Sequence, residues 1–317
     1  MRSEFEFIKR IKDTYGLGAV GDDCAVLPKD AEFDMVVTAD MLVEDIDFRL
    51  EWTRAKFLGQ KALAVSLSDV AAMGAEPKWA MLSIGVPERL WKSGFPDEFF
   101  DGYYRLSAKF SIEIVGGDVS RTTEKLVVDS IVAGDVPKGR AVLRSGAKPG
   151  DGIFVTGPLG GAAAGLVLLE RGRRYSSTIP SWQKTLLLKQ LQPLPSPFGV
   201  ELRKMGATAM IDLSDGLSSD LAHLCEASRV GARISLENIP IERKISGLKL
   251  TDDEKFRLAL SGGEDFELLF TIDPKKIPDD RNAQFHRIGT VTANPGIIEL
   301  IAQDETTILE PKGYRHF

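Results

Sequence analysis

A series of short β-branched runs, each stopping on an acid or a glycine with helical periodicity in between, constrains this chain more than any other feature. The runs span residues 33–40, 112–118, 126–135, 153–157 and 208–212, and three of them close on Asp40, Asp118 and Asp212. Such runs read as buried strands. The segments 54–74, 99–110, 161–171 and 216–228 repeat their apolar residues at helical spacing, so the expected class is mixed α/β. The runs 81–86 and 126–136 also allow antiparallel pairing, which argues against a purely parallel sheet.

At 317 residues the chain suits two α/β domains of roughly 150 residues each. Turn formers concentrate at Pro137, Gly139, Gly146, Pro149 and Gly150. The expected boundary is therefore near residue 140, dividing the chain into 1–140 and 141–317. A polar, Pro-rich stretch at 176–197 is expected to form a surface excursion. Residues 1–12 mix Phe5, Phe7, Ile8 and Ile11 with Glu4, Glu6, Lys9 and Arg10, as an amphipathic helix does and a signal peptide does not.

No run is long and apolar enough for membrane insertion, and a cytoplasmic location is expected. A formal charge of −6 without a basic run gives no electrostatic footprint for nucleic acid. Cys24 and Cys225 are the only cysteines, far apart and without neighbouring histidines, so neither a disulfide nor a thiolate metal site is expected.

One apparent dinucleotide fingerprint, Gly16-Leu-Gly18-Ala-Val-Gly21, fails on context. A helical pattern precedes it where a strand is required, and Asp22-Asp23 follows, repelling a pyrophosphate at close range. The acids in small-residue surroundings are more informative: Asp22-Asp23, Thr38-Ala39-Asp40, Ser68-Asp69, Gly117-Asp118 and Asp212-Leu213-Ser214-Asp215. Singly, each reads as a turn or a cap. Asp69 stands out because the helix around it is apolar on most sides. A carboxylate there needs a cation, a metal or a proton, and Lys61 is the bland candidate partner. Oxygen donors without histidine or cysteine suit Mg²⁺. Such acids tolerate a polyphosphate only when cations bridge the two.

Arg144 offers a fixed positive fork to a phosphate, or is an exposed linker residue. The turn at Gly157–Gly161 aims backbone N–H groups at an anion, or is simply a tight βα connection. Ser261-Gly262-Gly263-Glu264-Asp265 leads into an expected strand at 266–272 and suggests a loop carrying a polar contact. His223 reads as a packing residue. No persuasive histidine base is present, which fits a phosphate-monoester acceptor that is already largely dianionic at neutral pH and needs positioning more than deprotonation.

Taken together, Gly21-Asp-Asp-Cys-Ala-Val, Thr38-Ala-Asp-Met-Leu-Val, the Lys61-to-Ala75 segment, Gly116-Gly-Asp, Arg144-Ser-Gly-Ala-Lys-Pro-Gly-Asp, Ile211-Asp-Leu-Ser-Asp-Gly-Leu and Leu260-Ser-Gly-Gly-Glu-Asp-Phe-Glu-Leu resemble the thiamine-monophosphate kinase family of the aminoimidazole-ribonucleotide-synthetase-like superfamily, over essentially the whole chain. The resemblance implies a Mg²⁺ cluster of Asp23, Thr38, the Ala39 backbone, Asp40, Asp69, Asp118, Asp212 and Asp215. It implies ATP contacts from Gly117, Asp118, Arg144 and Ser214, with Asp212, Asp215 and Arg144 serving catalysis. It further implies γ-phosphoryl transfer from ATP to thiamine monophosphate, and a homodimer whose N-terminal domains contribute strands to a shared barrel, followed by a C-terminal α/β domain.

The acceptor end is assigned to Asp47, Glu264 and Tyr314. Many relatives carry a histidine where this chain has Asp47, and some a tryptophan where it has Pro311. Asp47 suits a cationic thiazolium electrostatically, and Tyr314 or Phe317 would stack on it. Within the superfamily, a purine-pathway synthetase would use the same acids but activate an amide oxygen. The reactive N-terminal cysteine of selenophosphate synthetase and the C-terminal cysteine of the hydrogenase-maturation relative are missing here. A non-catalytic nucleotide- or Mg²⁺-binding protein is the alternative from a different class.

Overall fold

The computed structural model describes residues 4–277, 284–303, 305–314 and 316. Phe317, one of the two expected stacking residues, lies outside them. Helix α1 (Glu4–Tyr15) is followed by strands β1 (Ala25–Pro28) and β2 (Phe33–Val43), helix α2 (Ala55–Ala72), β3 (Glu76–Pro87), the short α3 (Glu88–Trp91), α4 (Phe95–Lys109), β4 (Glu113–Thr122) and β5 (Val127–Pro137). Then come β6 (Gly152–Val155), α5 (Gly161–Glu170), α6 (Ser181–Leu191), α7 (Gly199–Met205), β7 (Ala209–Asp212), α8 (Leu217–Ser228), β8 (Gly231–Ser235), α9 (Asp252–Ser261), β9 (Leu268–Ile272), β10 (His286–Thr292), β11 (Ile298–Ala302) and β12 (Glu305–Ile308).

The strands form two sheets, β1-β2-β5-β3-β4 and β12-β11-β8-β10-β6-β9-β7. Both are mixed: β3 pairs β5 antiparallel and β4 parallel, and β8 pairs β10 antiparallel and β11 parallel. The first sheet stays open within one chain, with β1 and β4 as its edges.

Two expected strand ends move. Asp40 and Asp118 sit inside β2 and β4, and only Asp212 closes its strand. The cause is pairing: β2 and β5 stay in register from Phe33↔Pro137 to Val43↔Val127, so the ladder carries β2 three residues past Asp40. The stretch at 176–197 is not a surface excursion. It contains α6, whose Leu186 and Leu187 are fully buried against α5 residues Ala164, Leu168 and Leu169.

Helix α2 lies between the two halves. It packs on β2, β3, β5 and α4 of the first half and reaches β7, α6 and α7 of the second. Its buried residues, among them Leu58, Leu63, Leu67 and Val70, occur on every side, so it has no apolar stripe. Each such leucine contributes about 2 kcal/mol of burial. Helices α2 and α4 touch backbone to backbone. A Cβ on Gly59 would meet the Phe99 carbonyl oxygen at 1.9 Å, and one on Gly102 the Lys56 carbonyl oxygen at 2.0 Å.

Candidate active site

Three carboxylates from distant parts of the chain meet at the seam between the halves. Asp23 precedes β1, Asp69 lies on α2 and Asp212 ends β7, and one oxygen of each lies within 4.8 Å of the others. Thr38 and Asp40 face the same group because alternate β2 residues share a side of the sheet. Thr38 Oγ1 donates to Asp69 Oδ2 at 2.5 Å. Ala39, between Thr38 and Asp40, points its side chain to the other face of the sheet.

Burial raises these carboxyls. Asp212 is pushed up to about 8 by burial and then by Asp23, and Asp40 to about 6 by burial. Asp69 is raised by burial, Asp40 and Asp212. Asp22, which accepts the Arg144 backbone N–H at 3.2 Å, rises to about 6 through burial and Asp23. Asp23 rises through burial although Arg144 pulls it down.

Lys61 does not neutralise Asp69. Its Nζ is 2.6 Å from Glu264 Oε1. Arg144 is not an exposed linker residue: its Nη2 and Nε lie 2.5 and 3.1 Å from Asp23 Oδ1. Burial opposes the Arg144 charge, but Asp23 outweighs it and holds the guanidinium protonated.

The donor set fits a hard divalent cation. It is all oxygen, and Asp23 Oδ2, Asp40 Oδ2 and Asp212 Oδ2 are buried with no hydrogen-bond partner among the described residues. A buried carboxylate oxygen without a donor is costly unless something positive reaches it.

A cavity of about 620 Å³ adjoins the acids. Asp40, Asp47, Ser214, Asp215, Glu264 and Tyr314 all line it, so the expected acceptor residues and part of the expected ligand set share one space. Tyr314 is placed by its N–H on the Asp215 carbonyl at 3.2 Å, and the Lys312 carbonyl accepts from Ser218 Oγ at 2.7 Å, which docks the C-terminal segment on α8. His316, unassigned from sequence, also lines the cavity.

Gly117 and Asp118 are not brought to the three acids within one chain. The register Asp40↔Ser130↔Leu82↔Gly117 puts them three strands away, about 14 Å at roughly 4.8 Å per strand. Gly117 has φ +152°, and a Cβ there would meet the Leu82 carbonyl oxygen at 1.8 Å. Close approach of β3 alone therefore requires glycine.

The Gly16–Gly21 segment follows α1 and leads into β1, the reverse of a dinucleotide loop. The turn before α5 does face an anion, and the anion is the protein's own. Asp265 accepts the N–H groups of Gly160 at 2.6 Å and Ala162 at 3.1 Å. Asp220, passed over in the sequence, accepts from the N–H of Gly216 at 3.0 Å and shapes the 212–216 turn. Its signal was an acid in the first turn of a helix that opens on glycine. His223 lies half-buried on α8, away from the cavity.

Comparison with known proteins follows the same two halves. The N-terminal domain family of AIR synthase related protein matches residues 21–136, and the corresponding C-terminal domain family matches 148–301. Thiamine-monophosphate kinase of Escherichia coli K12 is 38% identical over 307 residues, covering 94% of this chain and 91% of that protein. The Bacillus subtilis enzyme of that name is 36% identical, covering 94% and 93%. A solved structure of AaThiL complexed with AMPPCP and TMP superposes with a TM-score of 0.89 at 31% identity, covering 99% of this chain and 97% of that one. Hydrogenase maturation protein HypE shares the fold at 16% identity and a TM-score of 0.68. By both halves and by its full length, the chain belongs to the thiamine-monophosphate kinase family of the AIR synthase related proteins.

Proposed function

We propose that the protein transfers the γ-phosphoryl group of ATP directly to thiamine monophosphate, giving thiamine diphosphate. The observation that carries this reading is the convergence of Asp23, Asp69 and Asp212, with three unpartnered buried carboxylate oxygens, beside a cavity large enough for a small ligand. It is supported by the names of the relatives and by the AMPPCP and TMP complex of a structural neighbour.

In this reading Asp23, Thr38, the Ala39 backbone, Asp40, Asp69, Asp212 and Asp215 hold Mg²⁺. Bound ions would screen the ATP phosphates from these acids and neutralise charge developing during transfer. Arg144 locks Asp23 in place and keeps a full positive charge at the edge of the cluster. Ser214 and Asp215 sit where the cluster meets the cavity, which suits them to the transferring phosphoryl group. A dianionic acceptor phosphate needs no base, and none of the residues named here is asked to remove a proton.

Asp47, Glu264 and Tyr314 line the same cavity and are assigned to the acceptor's rings, with the Glu264 and Tyr314 N–H groups tied to the Ser214 and Asp215 carbonyls. Gly117 and Asp118, on the open β4 edge, are assigned to the nucleotide in a homodimer that covers that edge. Val115 and Val119 on the edge strand β4 are 47% and 58% exposed, apolar side chains that pairing of that edge in a shared barrel would bury. The domain division at residue 140 falls between Pro137 of the first sheet and Gly152 of the second. The cytoplasm is the proposed location because ATP and a soluble phosphate ester meet there.

The deciding experiment is incubation with ATP, MgCl₂ and thiamine monophosphate, with thiamine diphosphate followed chromatographically. Stoichiometric thiamine diphosphate and ADP are expected. ADP and inorganic phosphate without thiamine diphosphate would overturn the reading.

A further inference from the structure

Lys61 is 3% exposed. Lysine is almost never buried so far without a partner, because its charge must be answered where water does not reach. Its Nζ lies 2.6 Å from Glu264 Oε1 and 3.4 Å from the Gln190 carbonyl oxygen. The Gln190 side-chain amide donates to the other Glu264 oxygen, Oε2. Each oxygen of Glu264 thus has its own donor, one from α2 in the first half and one from α6 in the second. The neighbouring pair Gln192 Nε2 to Gln60 Oε1, at 2.6 Å, ties the same two helices.

Glu264 is held from its backbone too. Its φ is +66° and that of Phe266 is +51°. For residues bearing a Cβ this left-handed geometry is strained and persists only where the surroundings over-determine it. Here the Glu264 N–H is pinned to the Ser214 carbonyl at 2.8 Å and the Phe266 N–H to the Leu213 carbonyl at 3.0 Å. The result is a strained, doubly supported carboxylate whose side chain keeps 28% exposure into the cavity.

Asp47 lines the same cavity and accepts the Val43 N–H at 2.8 Å. Lys61 is committed to Glu264 by its ion pair, whereas the hydrogen bond that holds Asp47 comes from a backbone N–H, and a carboxylate so held suits a permanent cation on a heteroaromatic ring. Resting on the acceptor reading above, we infer that Lys61, with Gln190, is a positioning residue that fixes Glu264 as a neutralised hydrogen-bond acceptor for the acceptor substrate, leaving Asp47 to answer its cationic ring.

Steady-state kinetics of Lys61→Met, Gln190→Leu, Glu264→Gln and the Lys61→Met/Glu264→Gln double variant, with thermal melting as a fold control, test this. Losing the ammonium should raise KM for thiamine monophosphate about tenfold, the scale of one hydrogen bond to a charged group, with kcat and KM for ATP within about twofold. Gln190→Leu, which leaves the ammonium in place, should move the same KM by less. In the Glu264→Gln background, Lys61→Met should add almost nothing, since Lys61 acts through the carboxylate. An equal effect of Lys61→Met in both backgrounds, parallel changes in kcat and ATP KM, or no change at all would overturn the assignment. Absence of thiamine monophosphate turnover in the unmodified enzyme would instead overturn the functional reading and this one with it.

Discussion

Arg144 directs both Nε and Nη2 at one oxygen of Asp23, Oδ1, at 3.1 and 2.5 Å, and leaves the other, Oδ2, buried with no donor among the described residues. A single fork thereby fixes the carboxylate's orientation while half of it stays available for a cation. Substituting Arg144 by Met removes, among the described residues, the only ion pair drawn to a side chain that is 0% exposed. Breaking such a pair costs about 3 kcal/mol, so urea denaturation in EDTA should show a loss of that order. MgCl₂ should recover part of it. A loss below about 0.5 kcal/mol would show that Asp23 is neutral without its partner.

The pH dependence of the metal-free protein follows from the raised acids. Asp22 and Asp40 at about 6 and Asp212 at about 8 exceed their ordinary value of 3.8 because burial penalises the charged form. Between 3.8 and those values the folded chain binds more protons than the unfolded one, so stability falls as pH rises. The melting temperature in EDTA should therefore decline from pH 5 to pH 8. Added Mg²⁺ should raise it strongly at pH 8 and little at pH 5, where protons occupy the same oxygens. A Mg²⁺ effect of equal size at both values would separate the ion from these carboxylates.

Asp69→Asn and Asp212→Asn remove a charge without changing shape. Each should lower turnover by about 10² or more, the scale of several kcal/mol of lost charge stabilisation. Neither should lower the melting temperature of the metal-free protein at pH 8, since each deletes a repulsion that burial makes costly. Near-normal turnover in both variants would remove the metal cluster from the mechanism.

How far the site was legible can be argued from Asp69 itself. An acid inside a helix apolar on most sides announces a need for positive charge, and that much is visible in residues 62–75. Its partner is not, although Lys61 could have been excluded: eight residues along a common helix span about 12 Å, beyond ion-pair reach. Strands and helices with clean periodicity were readable, whereas α6 was obscured by Pro180, Pro193, Pro195 and Pro197 around a short leucine-rich core. Relations between residues a hundred positions apart, such as Asp265 with Gly160, leave no local pattern. They depend on β6 and β9 pairing antiparallel, which only the folded sheet reveals.

That Asp265 contact yields its own test. The carboxylate caps α5 from outside the helix, answering two N–H groups at the positive end of the helix dipole. Asp265→Ala should cost about 1–2 kcal/mol, as other lost caps do, and Asp265→Asn, which keeps an acceptor oxygen, clearly less. Equal losses in urea denaturation would mean the charge, not the hydrogen bonds, stabilises the turn.

Asp47 is where this chain departs most from its resemblance, and its chemistry can be isolated. The side chain is half-buried, its carboxyl raised by burial while the Val43 N–H and then His316 pull it down, and it lines the cavity with Glu264 and Tyr314. Asp47→Asn keeps the size and an oxygen for the Val43 N–H, so the backbone turn at 43–47 should survive. What disappears is the negative charge facing the acceptor's cationic ring. At an effective dielectric constant near 20 a pair 5–6 Å apart is worth about 3 kcal/mol before desolvation is subtracted, so a rise of about three- to tenfold in KM for thiamine monophosphate is expected, with KM for ATP unchanged. The effect should shrink as ionic strength rises, because a partly exposed pair is screened. An unchanged KM at low salt would mean that Asp47 shapes the turn and that the ring charge is met elsewhere.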